Sequence, residues 1–163
     1  MGESNLLSKL YSKKFSKYRL VNSRTRTIKN RIIATKRDKN FFDGKRNNGY
    51  GGYKYDGRWS IVADAIIKKY KLTNRSSVLH INCEKGYLLY ELKKILPNLN
   101  IQGYENSKYA IKNTHKKIKD KVTYINNYID IPISKKKIWF NNSYRCGLFL
   151  HTERRNWNNK GIK

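Results

Sequence analysis

Val78-Leu79-His80-Ile81-Asn82-Cys83-Glu84-Lys85-Gly86-Tyr87-Leu88-Leu89-Tyr90-Glu91-Leu92 is the stretch on which the reading of this chain turns. Its first four residues read as a short buried strand, and residues 82 to 86 as a turn. From Tyr87 onward, Leu88, Leu89, Leu92, Ile95 and Leu96 fall on one helical face until Pro97-Asn98 stops the helix. The order is strand, turn, helix.

The same alternation continues outward. Residues 100 to 104 read as a second strand, and Ser107 can cap a helix to about Lys119 that buries Ala110, Ile111, Thr114 and Ile118. Residues 122 to 125 make a third strand. Upstream, residues 60 to 70 carry Ile61, Val62, Ala65 and Ile66 as one apolar stripe, with Asp64, Lys68 and Lys69 off it. Strands alternating with helices of this length imply right-handed crossovers and a parallel sheet covered on both faces. The expected fold is therefore α/β: a partial Rossmann-like parallel sheet of about three strands with flanking helices over residues 60 to 133.

Around that unit the composition changes. Residues 1 to 40 carry twelve Lys or Arg against two acids, Glu3 and Asp38, and read as a basic helical or irregular extension. Either it is an arm for phosphate backbones, or it is a solvated segment packed loosely on the domain. Residues 41 to 59 are a Gly/aromatic leader rich in turns, whose tyrosines Tyr50, Tyr53 and Tyr55, with Arg58 and Trp59, are suited to a lid over a flat or cationic ligand. The other reading is an aromatic loop packed over a sheet edge. Residues 134 to 163 show neither strand alternation nor a helical stripe, apart from the short run 146 to 150, and read as an irregular basic tail.

The bulk numbers bound the rest. A chain of 163 residues has room for one compact domain. Its formal charge of +26 will draw it to polyanions, nonspecific nucleic acid among them, although Lys, Asn and Ile are also what AT-rich codons supply. Cys83 and Cys146 are too few and too far apart for a Cys-x-x-Cys site and are expected as reduced thiols. His80, His115 and His151 have no partner at ligand spacing, so no metal site is expected. No run of the sequence approaches the roughly 20 apolar residues that cross a bilayer, and the start has no apolar signal region. The expectation is a soluble cytoplasmic protein without membrane contact.

An adenosine cofactor binds such a unit at the carboxyl ends of its first two strands, where a glycine turn admits the ligand and an acid on the second strand takes the ribose hydroxyls. Gly86 closes the first turn, and Glu105 ends the second strand nineteen residues later. Residues 78 to 92 resemble the first motif of the class I S-adenosylmethionine (SAM)-dependent methyltransferases, Val-Leu-Asp-Val-Gly-Cys-Gly-Lys-Gly-Phe-Leu-Leu in many bacterial members. The segment Gly103-Tyr104-Glu105-Asn106-Ser107-Lys108-Tyr109-Ala110-Ile111 is similar to the second-strand motif of that family. Ile131-Pro132-Ile133 resembles the Leu-Pro-Phe that follows its third strand. Asp43-Gly44-Lys45-Arg46 and residues 49 to 59 resemble the aromatic leader of one small subgroup. Together the resemblance spans roughly residues 40 to 133.

The resemblance implies SAM as cofactor, methyl transfer to a small-molecule acceptor, Glu105 as the ribose ligand and Asn127 at the adenine. It also implies cofactor contacts at His80, Asn82, Glu84 and Gly86, with Tyr53, Arg58 and Trp59 above them. The departures lie in the loop: His80 stands where the family has an acid, and Asn82 and Glu84 replace its first two glycines. Side chains there would fill the space of the methionine moiety, and Glu84 would set a negative charge beside its carboxylate, so weak cofactor binding is expected. For His80 and Glu84 the favoured reading is structural, a satisfied strand-end histidine and a favourable acid at a helix N-terminus, whereas Gly86 and Glu105 are favoured as cofactor positions.

The family's remaining strands are missing from the pattern, and with them any recognisable catalytic base. Back-translating residues 138 to 163 with AT-rich codons and sliding the frame by one base can give Gly-Leu-Ile-Ile-Ala-Ile-Gly-Val-Val-Tyr, a strand-like run, which suggests a frameshifted tail. The expected function is a truncated and impaired SAM-dependent methyltransferase. The alternatives are a basic RNA-binding module without catalysis, or a nonfunctional fragment.

Overall fold

The computed structural model describes residues 25–127, 129, 131 and 147–151. Most of the basic extension, Cys146, the Pro132-Ile133 pair and most of the tail lie outside the described residues. Helices α1 (Ile28–Thr35), α2 (Lys39–Phe42) and α3 (Trp59–Tyr70) precede β1 (Ser77–Ile81), α4 (Tyr87–Ile95), β2 (Asn100–Glu105) and α5 (Lys108–Lys112). A 3₁₀ helix (Lys116–Lys121), β3 (Val122–Tyr124) and β4 (Gly147–His151) complete the order.

The sheet runs β3-β2-β1-β4. The strands β1, β2 and β3 are parallel, with Ile81 opposite Tyr104 and Gly103 opposite Val122. This is a mixed α/β fold with a three-strand parallel sheet flanked by helices. The short apolar run expected at residues 146 to 150 becomes β4, which pairs antiparallel with β1 so that Gly147 faces Ile81. Part of the tail read as irregular is thus the outer strand of the sheet among the described residues, because β1 offers a row of N–H and C=O groups for an extended segment to satisfy.

Alternation along β1 divides the interior. Val78 joins Val62, Ala63, Ile66, Leu89, Leu92, Ile101 and Val122 under α3 and α4, and Leu79 turns to the opposite face with Ile131, Ile81, Tyr104 and Ile125. Gly103 lets β2 come close to the first core, since a Cβ there would lie 2.7 Å from Cys83 Sγ and 2.9 Å from Leu89 Cδ1. The predicted stripe of α3 is shifted. Ala63 is buried in place of Ala65, and Ile61 is 43 % exposed. Trp59 begins the helix and packs on the core, so the inward face is 59, 62, 63 and 66.

The helix expected from Ser107 to about Lys119 also differs. Ser107 does cap it, accepting from the Ala110 amide, but α5 ends at Lys112 and the chain resumes as the 3₁₀ helix. Between the two, the His115 amide donates to the Lys85 carbonyl (3.0 Å) and leaves the helical ladder, and the 3₁₀ turn buries Ile118. No helix among the described residues is long and apolar enough to cross a membrane.

Candidate functional site

The loop from β1 to α4 is built on left-handed backbone. Asn82 has φ 59°, Glu84 φ 57° and Gly86 φ 75°. Asn tolerates this region, whereas a residue such as Glu pays about 1 kcal/mol or more to occupy it. Contacts across the strands hold it there: the amides of Asn82 and Cys83 donate to the Tyr104 carbonyl at 2.7 and 3.2 Å, and the Glu84 amide donates to Glu105 Oε2 at 2.7 Å. Gly86 opens α4, and a Cβ on it would lie 2.6 Å from Ile118 Cδ1.

Glu105, at the carboxyl end of β2, is fully buried. Its Oε2 accepts from Glu84, and its Oε1 accepts from the Ser107 amide at 2.8 Å. A carboxylate at this depth requires a cation or more donors, and both oxygens receive Nη2 of Arg37, at 3.3 and 3.4 Å. Arg37 lies between α1 and α2 in left-handed conformation (φ 46°), and its carbonyl accepts from Ser107 Oγ at 2.5 Å. The guanidinium lies over the rings of Phe41 and Phe42, and its Nη2 comes within 3.8 Å of Glu84 Oε1. Sequence reasoning missed Arg37, since no local pattern marks a contact made 68 residues away.

Lys85 is a second anchor. Its ammonium group, on a side chain only 5 % exposed, donates to both oxygens of Asp43 (3.0 and 2.8 Å) and to the Tyr53 carbonyl (2.7 Å). It sits amid the rings of Phe42, Tyr53 and Tyr109, each centroid within 5.9 Å. Asp43 also accepts from Tyr109 Oη (2.7 Å) and the Tyr53 amide (2.9 Å). Burial pushes the Asp43 carboxyl up, and the bonds from Lys85, Tyr109 and Tyr53 outweigh it and hold the group below its ordinary value. The hydrogen bond to Asp43 in turn pushes the Tyr109 phenol up to about 12.

This anchor fixes the Gly/aromatic leader over the loop. Tyr50 stacks on Tyr53 with ring centroids 4.6 Å apart, and Tyr50 Oη donates to Glu84 Oε1 at 2.5 Å. Burial drives the Glu84 carboxyl up, while the Tyr50 hydroxyl and the Arg37 charge pull it down; the net shift is upward. Farther along, Tyr55 donates to Glu91, a carboxylate 1 % exposed within α4, and packs edge-on against His115, which stacks on Tyr90.

Of the nine residues expected at a cofactor, the structure brings Asn82, Glu84, Gly86, Glu105 and Tyr53 to one end of the sheet. Trp59 faces the core beneath α3, and Arg58 pairs locally with Asp56 at the surface. Asn127 is exposed, its Oδ1 accepting from the Ile129 amide at 3.1 Å. His80 is buried in β1, and its removal from water lowers its pKa to about 4. Among the described residues, no three His, Cys, Asp or Glu side chains are grouped as metal ligands.

His80 makes stability pH-dependent. An unfolded chain binds this proton near 6.5, whereas the folded chain resists it until about 4, so stability is intact above 6.5 and falls as the pH drops through that window. The full difference is about 3 kcal/mol, or about 1.4 kcal/mol per pH unit. Urea midpoints for the wild type should decline below pH 6.5 more steeply than those of His80→Asn, and parallel curves would refute the assignment. Neither a known protein family nor a curated protein matches this chain.

Proposed function

We propose that residues 41–131 form a Rossmann-like, class I SAM-dependent methyltransferase unit. It holds the adenosine end of SAM at the carboxyl ends of β1 and β2, with Glu105 as the ribose acceptor and the tyrosine leader above the loop. The observation that carries this reading is the loop backbone. Positions 82, 84 and 86, which align with the three glycines of the resembling motif, all have positive φ although two of them are not glycine. A left-handed glutamate is costly, and descent from a glycine loop accounts for it. Glu105 adds support by reaching across from the neighbouring strand to the amide of Glu84.

The cofactor would supply an electrophilic methyl group on a sulfonium, and the chain would contribute binding and orientation. Two features oppose tight binding: the Glu84 side chain lies in the loop, and Arg37 already uses Glu105. An impaired methyltransferase toward a small-molecule acceptor is the resulting proposal.

The double substitution Asn82→Gly with Glu84→Gly is expected to bring SAM binding into the micromolar range in a calorimetric titration, at least tenfold tighter than wild type. The competing reading is a basic RNA-binding module. It is favoured by the lysines at 108, 112, 116, 117, 119 and 121, which face only Asp120 as a neighbouring acid in that segment. Single-stranded RNA binding that falls steeply with salt, together with no SAM heat from the loop-restored protein, would replace the first reading with the second.

A further inference from the structure

We propose that Arg37 is a built-in competitor for the ligand, a latch that occupies the ribose-binding oxygens of Glu105 until an adenosine-bearing molecule displaces it. The inference rests on the adenosine site proposed above. Each Glu105 oxygen already accepts one backbone amide, Glu84 on Oε2 and Ser107 on Oε1. The acceptor capacity left on both is what a ribose diol needs, and it is what Nη2 of Arg37 takes. Guanidinium and diol cannot hold both oxygens together.

The docked arginine is held loosely enough to leave. Its two contacts are long for charge-assisted hydrogen bonds, at 3.3 and 3.4 Å, and its approach to Glu84 is longer still at 3.8 Å. Its Nε is buried with no hydrogen-bond partner, which a rotation toward water would correct. Its backbone sits in the left-handed region at φ 46°. The side chain is 12 % exposed, so part of it already meets solvent. A ligand that must wait for an open latch binds with an apparent affinity reduced by the open fraction, and removing the latch restores it.

The test is calorimetric titration of SAM into four proteins: wild type, Arg37→Gln, the Asn82→Gly/Glu84→Gly double variant, and the triple variant that adds Arg37→Gln. Glutamine keeps most of the side-chain length, and near-UV circular dichroism of the tyrosine cluster verifies that each protein is folded. The expected result is that the triple variant binds SAM roughly tenfold tighter than the double variant. Adenosine should show the same gain and 2′,3′-dideoxyadenosine should show none, a contrast that mere loosening of the fold would not produce. Equal SAM affinity in the double and triple variants overturns the latch and leaves the adenosine site standing. A gain of equal size for the dideoxy ligand also overturns it. Silence in all four proteins overturns the latch and the methyltransferase reading together.

Discussion

Asp43→Ala is expected to destabilise the protein by about 3–5 kcal/mol, measured as a fall in the urea midpoint, because it leaves the Lys85 ammonium buried without its counter-charge. The Lys85 side chain is 5 % exposed and would keep the Tyr53 carbonyl as its hydrogen-bond acceptor, while Tyr109 Oη and the Tyr53 amide would lose theirs. Removing the stranded charge should reverse part of the loss: Asp43→Ala combined with Lys85→Met is expected to be more stable than Asp43→Ala alone. If the double variant is the less stable, the ion pair is not what anchors the leader. Acid should act on the same contact. The folded-state value of Asp43 is depressed, so its contribution is present above the unfolded value of 3.8 and lost as the pH falls through the lower folded one. That window lies below the one assigned to His80, and the two should appear as successive steps.

Glu105→Ala is expected to cost about 3 kcal/mol, most of it from the two backbone amides rather than from the ion pair. The N–H groups of Glu84 and Ser107 would be left in a buried site without an acceptor, each such loss being worth about 1–3 kcal/mol. Arg37→Ala, by contrast, leaves both backbone amides on Glu105 and removes only the two long guanidinium contacts, so it should cost less than Glu105→Ala. Chemical denaturation of both variants measures the asymmetry. A larger loss from Arg37→Ala than from Glu105→Ala would mean that the arginine is a structural keystone and could not act as a displaceable group.

What was legible in the sequence was what local patterning governs. Three apolar residues around His80, followed by a turn and a 3.6-residue stripe, placed β1 and α4, and the same logic placed β2, β3 and their parallel pairing. Patterning failed where a long-range contact overrode it. The break after α5 depends on His115 bonding to Lys85, and the inward face of α3 depends on Trp59 starting the helix one residue early. The buried Glu91 could not be anticipated, because its partner Tyr55 comes from the leader, 36 residues away. Within the candidate site, Gly86 and Glu105 were readable from spacing. Arg37, Asp43 and Lys85 were not, because a charged residue in a strongly basic chain looks like solvated surface until its partner is seen.

The strand order has a consequence for how copies of this chain meet one another. With β4 paired to β1, the opposite border of the sheet among the described residues is β3, only three residues long and immediately preceded by Lys119, Asp120 and Lys121. A border so brief gives an incoming strand little to register against, and two such borders brought together would set like charges side by side. Templated stacking of molecules, the hazard of an open sheet, is therefore disfavoured at that end by shortness and cationic flanks.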